Sequence, residues 1–357
     1  MMLGPISPGG SGSGTNPELE GRVETVEYKV DVLENDRQTG NPGQVWTQTA
    51  EGPTWQNSAS APTGERRLVS ATRIETSGSW DRDAKWAEAL AEAQTIFGED
   101  ITEDDLVMDV EIIGGGSSGA SARTATAVGP GQGGNAGSVR RVTNLRKADL
   151  TSSVAIVIGA GGVGQPAYTW GSHIGAGGYS LFGDYRAPGG PGQTLESSVL
   201  YHLYPSPSDV PVGLPGLPAR AGNQSGIRAT ESFGPGCGGG GGYYQSGGGW
   251  GHGGNGGNGG AGTDANLTLG GLGGRMNDTS GDPTRNAQDG ADAFDAFSYG
   301  AGGGGGAGSG SFAHGGDGGA PGGGGGGAAL VSSSSGGTSG AGGRGEVRVF
   351  FYYVGGA

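Results

Sequence analysis

Residues 315–328 read GGDGGAPGGGGGGA, and residues 253–261 read GGNGGNGGA. Glycine brings no side chain to a core and loses more conformational freedom on folding than any other residue. A tract of this kind therefore has two physical outcomes. It stays a set of mobile loops, or its backbones pack directly on one another as extended threefold helices, with glycine wherever neighbours touch. The triplets Gly253-Gly-Asn255, Gly256-Gly-Asn258 and Gly259-Gly-Ala261 suit the second outcome. Packed polyglycine helices with Asn and Ala at their edges are the ordered alternative for 250–262 and for 315–328. Collagen is excluded, because no regular G-x-y repeat rich in proline is present.

The rest of the composition agrees. Glycine accounts for 87 of 357 residues, against a usual share of about 7%. Hydrophobic residues make up 32% and charged residues 15%, too few for a conventional compact enzyme. No run reaches the roughly 18 apolar residues that a bilayer span needs. Met1–Gly10 lacks the basic start and apolar core of a secretory signal. Net charge is −14, with most of the acidic excess before residue 106 and most of the glycine after it. Neither part carries a basic nucleic-acid footprint. Cys237, the single cysteine, can form no intrachain disulfide, and a Cys-based zinc site is excluded unless chains pool their ligands.

Strands punctuate the glycine. Met108, Val110 and Ile112 alternate with Asp109 and Glu111; Val154–Ile158 is a short apolar run; Val347, Val349, Phe351 and Tyr353 share one face of a closing strand. Tyr179–Phe182 and Leu200–Tyr204 are weaker candidates. Upstream, Leu68–Ile74 alternates as a strand. Trp86, Leu90, Ala93 and Phe97 form one face of a helix, with Asp81 or Ser79 to cap its start and Gly98 its end. Gly43–Thr47 and Gly52–Trp55 read as a hairpin around Glu51-Gly52.

Residues 17–37 carry a heptad seam. Val23 and Val30 fall at a; Leu19, Val26 and Leu33 fall at d. Arg22 and Lys29 at g would pair with Glu27 and Glu34 at e of a neighbouring chain. A short parallel trimer is the preferred reading; a dimer and a lone amphipathic helix are the alternatives. Residues 1–16 are a flexible Gly/Ser arm. The expected organisation is thus 1–16 arm, 17–38 coiled coil, 39–64 β connector, 65–105 small α/β unit and 106–357 glycine-rich β domain. The fold class is mainly β, with a short trimeric coiled coil and a β-sandwich-like domain bearing long glycine-rich loops.

Motifs for chemistry are sparse. Gly159-x-Gly161-x-x-Gly164 follows a strand as in a dinucleotide fold, with Asp184 beyond it. However, Gln165-Pro166 and further glycine follow where a helix is required. Glu99–Asp105 is acidic but lacks EF-hand spacing, so a solvated turn is expected. Asp289, Asp292 and Asp295, beside Phe294 and Phe297, suggest a short helix with its carboxylates in water. His173, His202, His252 and His314 are scattered. No enzyme, cofactor or metal is expected. The aromatic residues set in glycine stand out: Tyr243, Tyr244, Trp250, His252 and Phe312, with Tyr168, Trp170 and Tyr179. Rings on loops give large contact area at low entropic cost, so the first five are receptor-contact candidates. Pinning of the glycine loops by small local cores is the alternative role.

Gly114-Gly-Gly after its strand, VAIVIGAGG at 154–162 and GEVRVFFYY at 345–353 resemble the glycine-rich domain of minor tail proteins from phages of actinobacteria. GQVWT at 43–47 running to Trp55 resembles short connectors of trimeric phage tail fibres. The resemblance implies a virion protein of the distal tail, homotrimeric, bound to other tail or baseplate proteins through its N-terminal region and contacting a host-envelope glycan or protein. Neither nucleic-acid binding nor membrane insertion is implied. A purely structural tail-tip role, and a glycan-cleaving tailspike, are the alternatives.

Overall fold

A computed structural model describes residues 44–49, 52–57, 66–98, 100–121, 131–166, 175–192, 234–241, 270–272, 287–295, 297–306, 313–332 and 335–355. The heptad residues Leu19, Arg22, Val23, Val26, Glu27, Lys29, Val30, Leu33 and Glu34 lie outside them. The chain divides into two compact units, 1–66 with 354–357, and 67–353. In the first, β1 (Gln44–Thr49) and β2 (Gly52–Asn57) pair antiparallel, with Trp46 opposite Trp55. This is the hairpin expected around Glu51-Gly52.

The second unit is mainly β, with two four-stranded sheets and one α-helix among the described residues. One sheet runs in the order β3 (Arg66–Ile74), β12 (Glu346–Val354), β5 (Leu106–Ile113), β6 (Val139–Leu145). The other runs β4 (Gly78–Asp81), β7 (Ser153–Val157), β8 (Ser180–Phe182), β9 (Tyr185–Ala187). A small hairpin, β10 (Leu330–Ser332) and β11 (Ser335–Gly336), stands apart from both.

The alternation read in β5 and β12 sets one side of a single core. Met108, Val110, Ile112, Val347, Val349 and Phe351 cluster there with Trp80, Val154, Ile156 and Phe182 of the second sheet. Helix α1 (Arg82–Phe97) covers the same cluster. Asp81 caps its start by accepting the Ala84 N–H at 3.0 Å, and Gly98, at φ 128°, closes it. Trp86 is fully buried and meets Phe351 edge-on at 5.0 Å, while Trp80 stacks on Phe351 at 6.4 Å. Rings in these arrangements contribute about 0.5–1.5 kcal/mol per pair beyond the area they bury.

The glycine tracts run on from the strands as an ordered backbone lattice. Segments 114–121, 131–138, 234–241, 299–306, 313–320, 322–329 and 337–345 carry neither helix nor sheet ladders, yet their amides and carbonyls bond between segments. The period is three. Ala287, Gly290 and Ala293 donate to the carbonyls of His314, Asp317 and Ala320, so those two segments run parallel. Gly131, Gly134 and Gly137 donate to Ala328, Gly325 and Gly322, an antiparallel pair. Gly300, Gly303 and Gly306 donate to Pro321, Gly324 and Gly327. A three-residue repeat is the turn of an extended threefold helix, and it is the ordered alternative foreseen for 315–328. The 250–262 tract lies outside the described residues.

Close approach of backbones makes glycine obligatory here. A Cβ on Gly326 would stand 1.8 Å from the Gly304 carbonyl oxygen, and one on Gly116 2.1 Å from that of Gly323. Gly78 in β4 has nothing within 4 Å. Two substitutions therefore separate lattice glycine from ordinary glycine. Gly326→Ala should destabilise the protein in chemical denaturation by ~2–3 kcal/mol, the cost of overpacking. Gly78→Ala should stay within about 0.5 kcal/mol of the parent.

Candidate functional site

The lattice has two ends. Near the strands, Gly114 donates to Ser138, Gly137 to Gly322, and Gly322 to Arg344. Away from them, Ala120 donates to Gln132, Ala328 to Ala120, Gly131 to Ala328, Gly241 to Gly131, Gly306 to Gly327 and Ala329 to Ala313. The second group forms one distal end, and β10–β11 connects residues 329 and 337 there. Of the receptor-contact candidates, Tyr243, Tyr244, Trp250, His252 and Phe312 all lie outside the described residues. Their neighbours in sequence, Gly241 and Ala313, both belong to the distal end.

Carboxylates fasten the lattice edge. Asp289 Oδ1 accepts the Asp317 N–H at 2.7 Å, Asp292 Oδ1 accepts that of Ala320 at 2.6 Å, and Asp317 Oδ1 accepts that of Ala341 at 2.7 Å. The helix expected for Asp289, Asp292 and Asp295 is absent. A spacing of three suits the threefold backbone better than the 3.6-residue α-turn. Asp295 instead closes a turn by accepting the Phe297 and Ser298 amides, at 2.9 and 2.7 Å. Burial opposes its ionisation, but these bonds and the nearby Arg348 hold its pKa below the usual carboxylate value.

That turn places Ser298 and Tyr299 over the outer face of the first sheet, above a row of charges in which Glu111, Glu346 and Arg348 are buried while Arg141 and Arg73, at its ends, reach solvent. Arg348 of β12 and Arg141 of β6 both stand in register with Glu111 of β5 between them. Arg348 is fully buried; it donates to Glu111 at 3.1 Å, to Glu346 at 2.7 Å and to the Ser298 carbonyl, with Tyr299 5.0 Å beneath its guanidinium. Arg141 donates to Glu111 at 2.6 Å and to the Tyr299 hydroxyl at 2.9 Å, and that hydroxyl donates to Glu111 at 2.8 Å. Arg73 of β3 completes the row, donating to Glu346 at 2.7 Å. Burial, and then the charge of Glu111, push the Tyr299 phenol up, so it remains a donor. Burial opposes the charge on Arg141, and Glu111 outweighs it. Sequence reasoning missed this row because Glu111, Glu346 and Arg348 occupy what looks like the solvent side of half-buried strands. The usable signal was cross-strand charge complementarity.

The segment after Gly159 is a lattice strand: the Gly159 amide donates to Ser180 Oγ at 3.0 Å, and a Cβ on Gly161 would stand 1.8 Å from the Gly342 carbonyl oxygen. No phosphate cradle forms there. Cys237 is buried and its sulfur accepts the Ala136 amide at 3.3 Å; burial pushes its thiol up to about 12, too high for a nucleophile at neutral pH. Glu103–Asp105 is a 3-10 turn in which Asp105 accepts both the amide and the hydroxyl of Thr102, at 2.8 Å each, and Glu103 pairs with Lys147. Among the described residues no three His, Cys, Asp or Glu side chains converge as metal ligands.

The geometry describes a scaffold: a charged row clamps the glycine lattice to a β core, and the lattice carries the chain to a distal end. Removing one partner from a buried ionic row leaves the others uncompensated. Arg348→Met should therefore cost ~3–5 kcal/mol in equilibrium unfolding, whereas Lys85→Gln, which breaks an exposed pair with Glu88, should cost under about 0.5 kcal/mol.

No curated protein matches the chain. Residues 97–352, most of its length, match the family described as a glycine-rich domain, and the chain belongs to that family.

Proposed function

We propose that the protein is a structural component of a phage virion, a minor tail protein at the distal tail that takes part in recognising the surface of an actinobacterial host. The observation that carries this reading is the glycine lattice. It turns a sequence with few hydrophobic side chains into a stiff support whose segments return repeatedly to one distal end. Aromatic residues cluster in sequence just beyond that end: Tyr243, Tyr244, Trp250 and His252 follow Gly241, and Phe312 precedes Ala313. Contact residues placed on a rigid support lose less entropy on binding.

The two sheets sharing one core support a sandwich-like architecture for the domain. The heptad residues Leu19, Val23, Val26, Val30 and Leu33, flanked by Arg22, Glu27, Lys29 and Glu34, support a parallel homotrimer. Three copies would turn weak single contacts into avidity. Residues 1–64 would attach the trimer to its neighbours in the tail, leaving the glycine-rich domain towards the host envelope.

Adsorption competition tests the proposal. Purified full-length protein, added to host cells before the phage, should coat the cells and reduce adsorption. The triple variant Tyr243→Ala, Tyr244→Ala, Trp250→Ala should lose most of that effect while keeping the parental unfolding midpoint. A folded trimer that neither coats cells nor slows adsorption would remove the recognition role and leave a packing role within the tail tip.

A further inference from the structure

Ser298 and Tyr299 roof the outer face of the first sheet towards the lattice. The same turn lays Phe297 on Phe350 of β12, the two rings stacked at 5.4 Å. Phe350 alternates with the core residue Phe351, so Phe350 and Tyr352 point outward, in register with Asp109 and Val107 of β5. In the neighbouring edge strand, Arg73 meets Glu346, while Arg67 lies over Phe97, which itself stacks on Tyr353. β3 therefore runs antiparallel to β12, with its first residues at the end where β12 finishes. Val69 belongs to the core, so Leu68 faces outward at the Tyr352 end.

Three large apolar side chains on this side of the sheet stand in water: Leu68 is 41% exposed, Phe297 38%, and Phe294, on the same turn, 56%. The other exposed large hydrophobics among the described residues lie elsewhere. Ile96 is on α1, Val163 and Leu272 are on lattice segments, and Tyr179 lies beneath the Arg186 guanidinium, 4.1 Å from its ring centre. The turn that presents the two phenylalanines is tied at several points. Ser298 Oγ accepts the amides of Phe294 and Asp295 at 3.1 and 3.2 Å, and Asp295 Oδ1 accepts those of Phe297 and Ser298. Arg348 holds its end through the Ser298 carbonyl. Rings held in place lose little freedom when they are covered, which suits the anchors of an interface.

Connectivity indicates what can cover them. β3 begins at Arg66 and β12 ends at Val354, so the chain enters and leaves the sheet at the Leu68–Tyr352 end. The heptad seam ends at residue 37. Between it and Arg66 the β1–β2 hairpin returns on itself, Gln44 facing Asn57, so only 38–43 and 58–65 add length, fourteen residues in all. Fully extended, they reach about 50 Å. A parallel trimer thus tethers three copies of this end about one axis, each with the same exposed rings. Short tethers give effective concentrations in the millimolar range, enough for a modest apolar contact to form.

We propose that this patch is a contact between copies of the chain, in which Leu68, Phe294 and Phe297 of each copy pack against the same residues of its neighbours about the trimer axis. The inference rests on the parallel-trimer reading and adds to it a second contact, made by the β domain.

Cross-linking of the full-length protein tests it. Cys237 is buried, so the parent should give no product with a short bis-maleimide, and any product reports an introduced thiol. Phe294→Cys should give covalent dimers in protein whose mass by light scattering is that of a trimer. Leu272→Cys, at a similarly exposed position on the lattice, should give none. Leu68→Asp with Phe294→Asp should keep the parental unfolding midpoint at high protein concentration and raise the concentration at which the trimer dissociates by about tenfold or more. The contact is overturned, with the trimer reading intact, if Phe294→Cys stays unlinked in a verified trimer, if Leu272→Cys links as well, or if the double Asp variant dissociates like the parent. A thiol at 294 that is protected from labelling yet unlinked would assign the patch to another occupant and overturn the contact too. A parent that is monomeric at every concentration would remove both readings.

Discussion

The described glycine segments beyond the two sheets depend on hydrogen bonds between backbones that run too close together for a Cβ. At Gly326 that Cβ would be 1.8 Å from a carbonyl oxygen, and at Gly116 2.1 Å. At the same residues the Gly326 amide donates to the Gly316 carbonyl and the Gly116 amide to that of Gly343, satisfying groups that would otherwise be buried without partners. This bonding replaces the side-chain packing that glycine cannot supply. The entropic penalty of ordering so much glycine is offset only if almost every backbone group in the lattice finds a partner. The three-residue period allows this, because successive amides of one helix point to three different neighbours. A single Cβ in the interior therefore separates helices and breaks bonds on more than one side.

The lattice also needs a fixed base, and the charged row supplies it. β5 and β12 are buried on both faces. One face is conventional hydrophobic core. The other carries Glu111, Glu346 and Arg348, roofed by Ser298 and Tyr299, where the lattice segment 299–306 begins. Removing these charges from water is expensive, and the expense is tolerable because each guanidinium has a carboxylate and the Tyr299 phenol bridges Arg141 to Glu111. A hydrophobic face would fill the same space with less directional preference. The bonds from Arg348 to the Ser298 carbonyl and from Tyr299 to Glu111 fix where the segment enters.

Much of the β core was legible in the sequence because its cause is periodic. Val347, Val349 and Phe351 alternate, Trp86 and Ala93 fall on one helical face, and Asp81 and Gly98 are recognisable caps. The threefold order at 315–328 was legible as one of two physical outcomes. Which segments pair was not, because glycine carries no side chain to mark its neighbour; nothing in the sequence ties Gly131 to Ala328 or Gly303 to Gly324. Asp289 and Asp292 were read with the wrong period, since a spacing of three fits both a helix face and a threefold edge. Tyr179 was visible as an aromatic set in glycine, but the arginine over it was not, because their proximity depends on the diagonal register of β8 and β9. The polyglycine tract at 250–262, the heptad at 17–37 and the aromatic set at 243–252 lie outside the described residues.

Amide hydrogen exchange of the intact protein, resolved by peptide, tests the lattice most directly. If backbone bonding makes the lattice one cooperative body with the sheets, peptides spanning 299–306 and 322–329 exchange through the same opening as β5 and β12. Their amides should then share the protection of the β core, and Gly326→Ala should lower it across both segments together. Exchange of those glycine amides at unstructured-chain rates, with β5 and β12 still protected, would contradict the claim that backbone-to-backbone bonding holds this domain in shape.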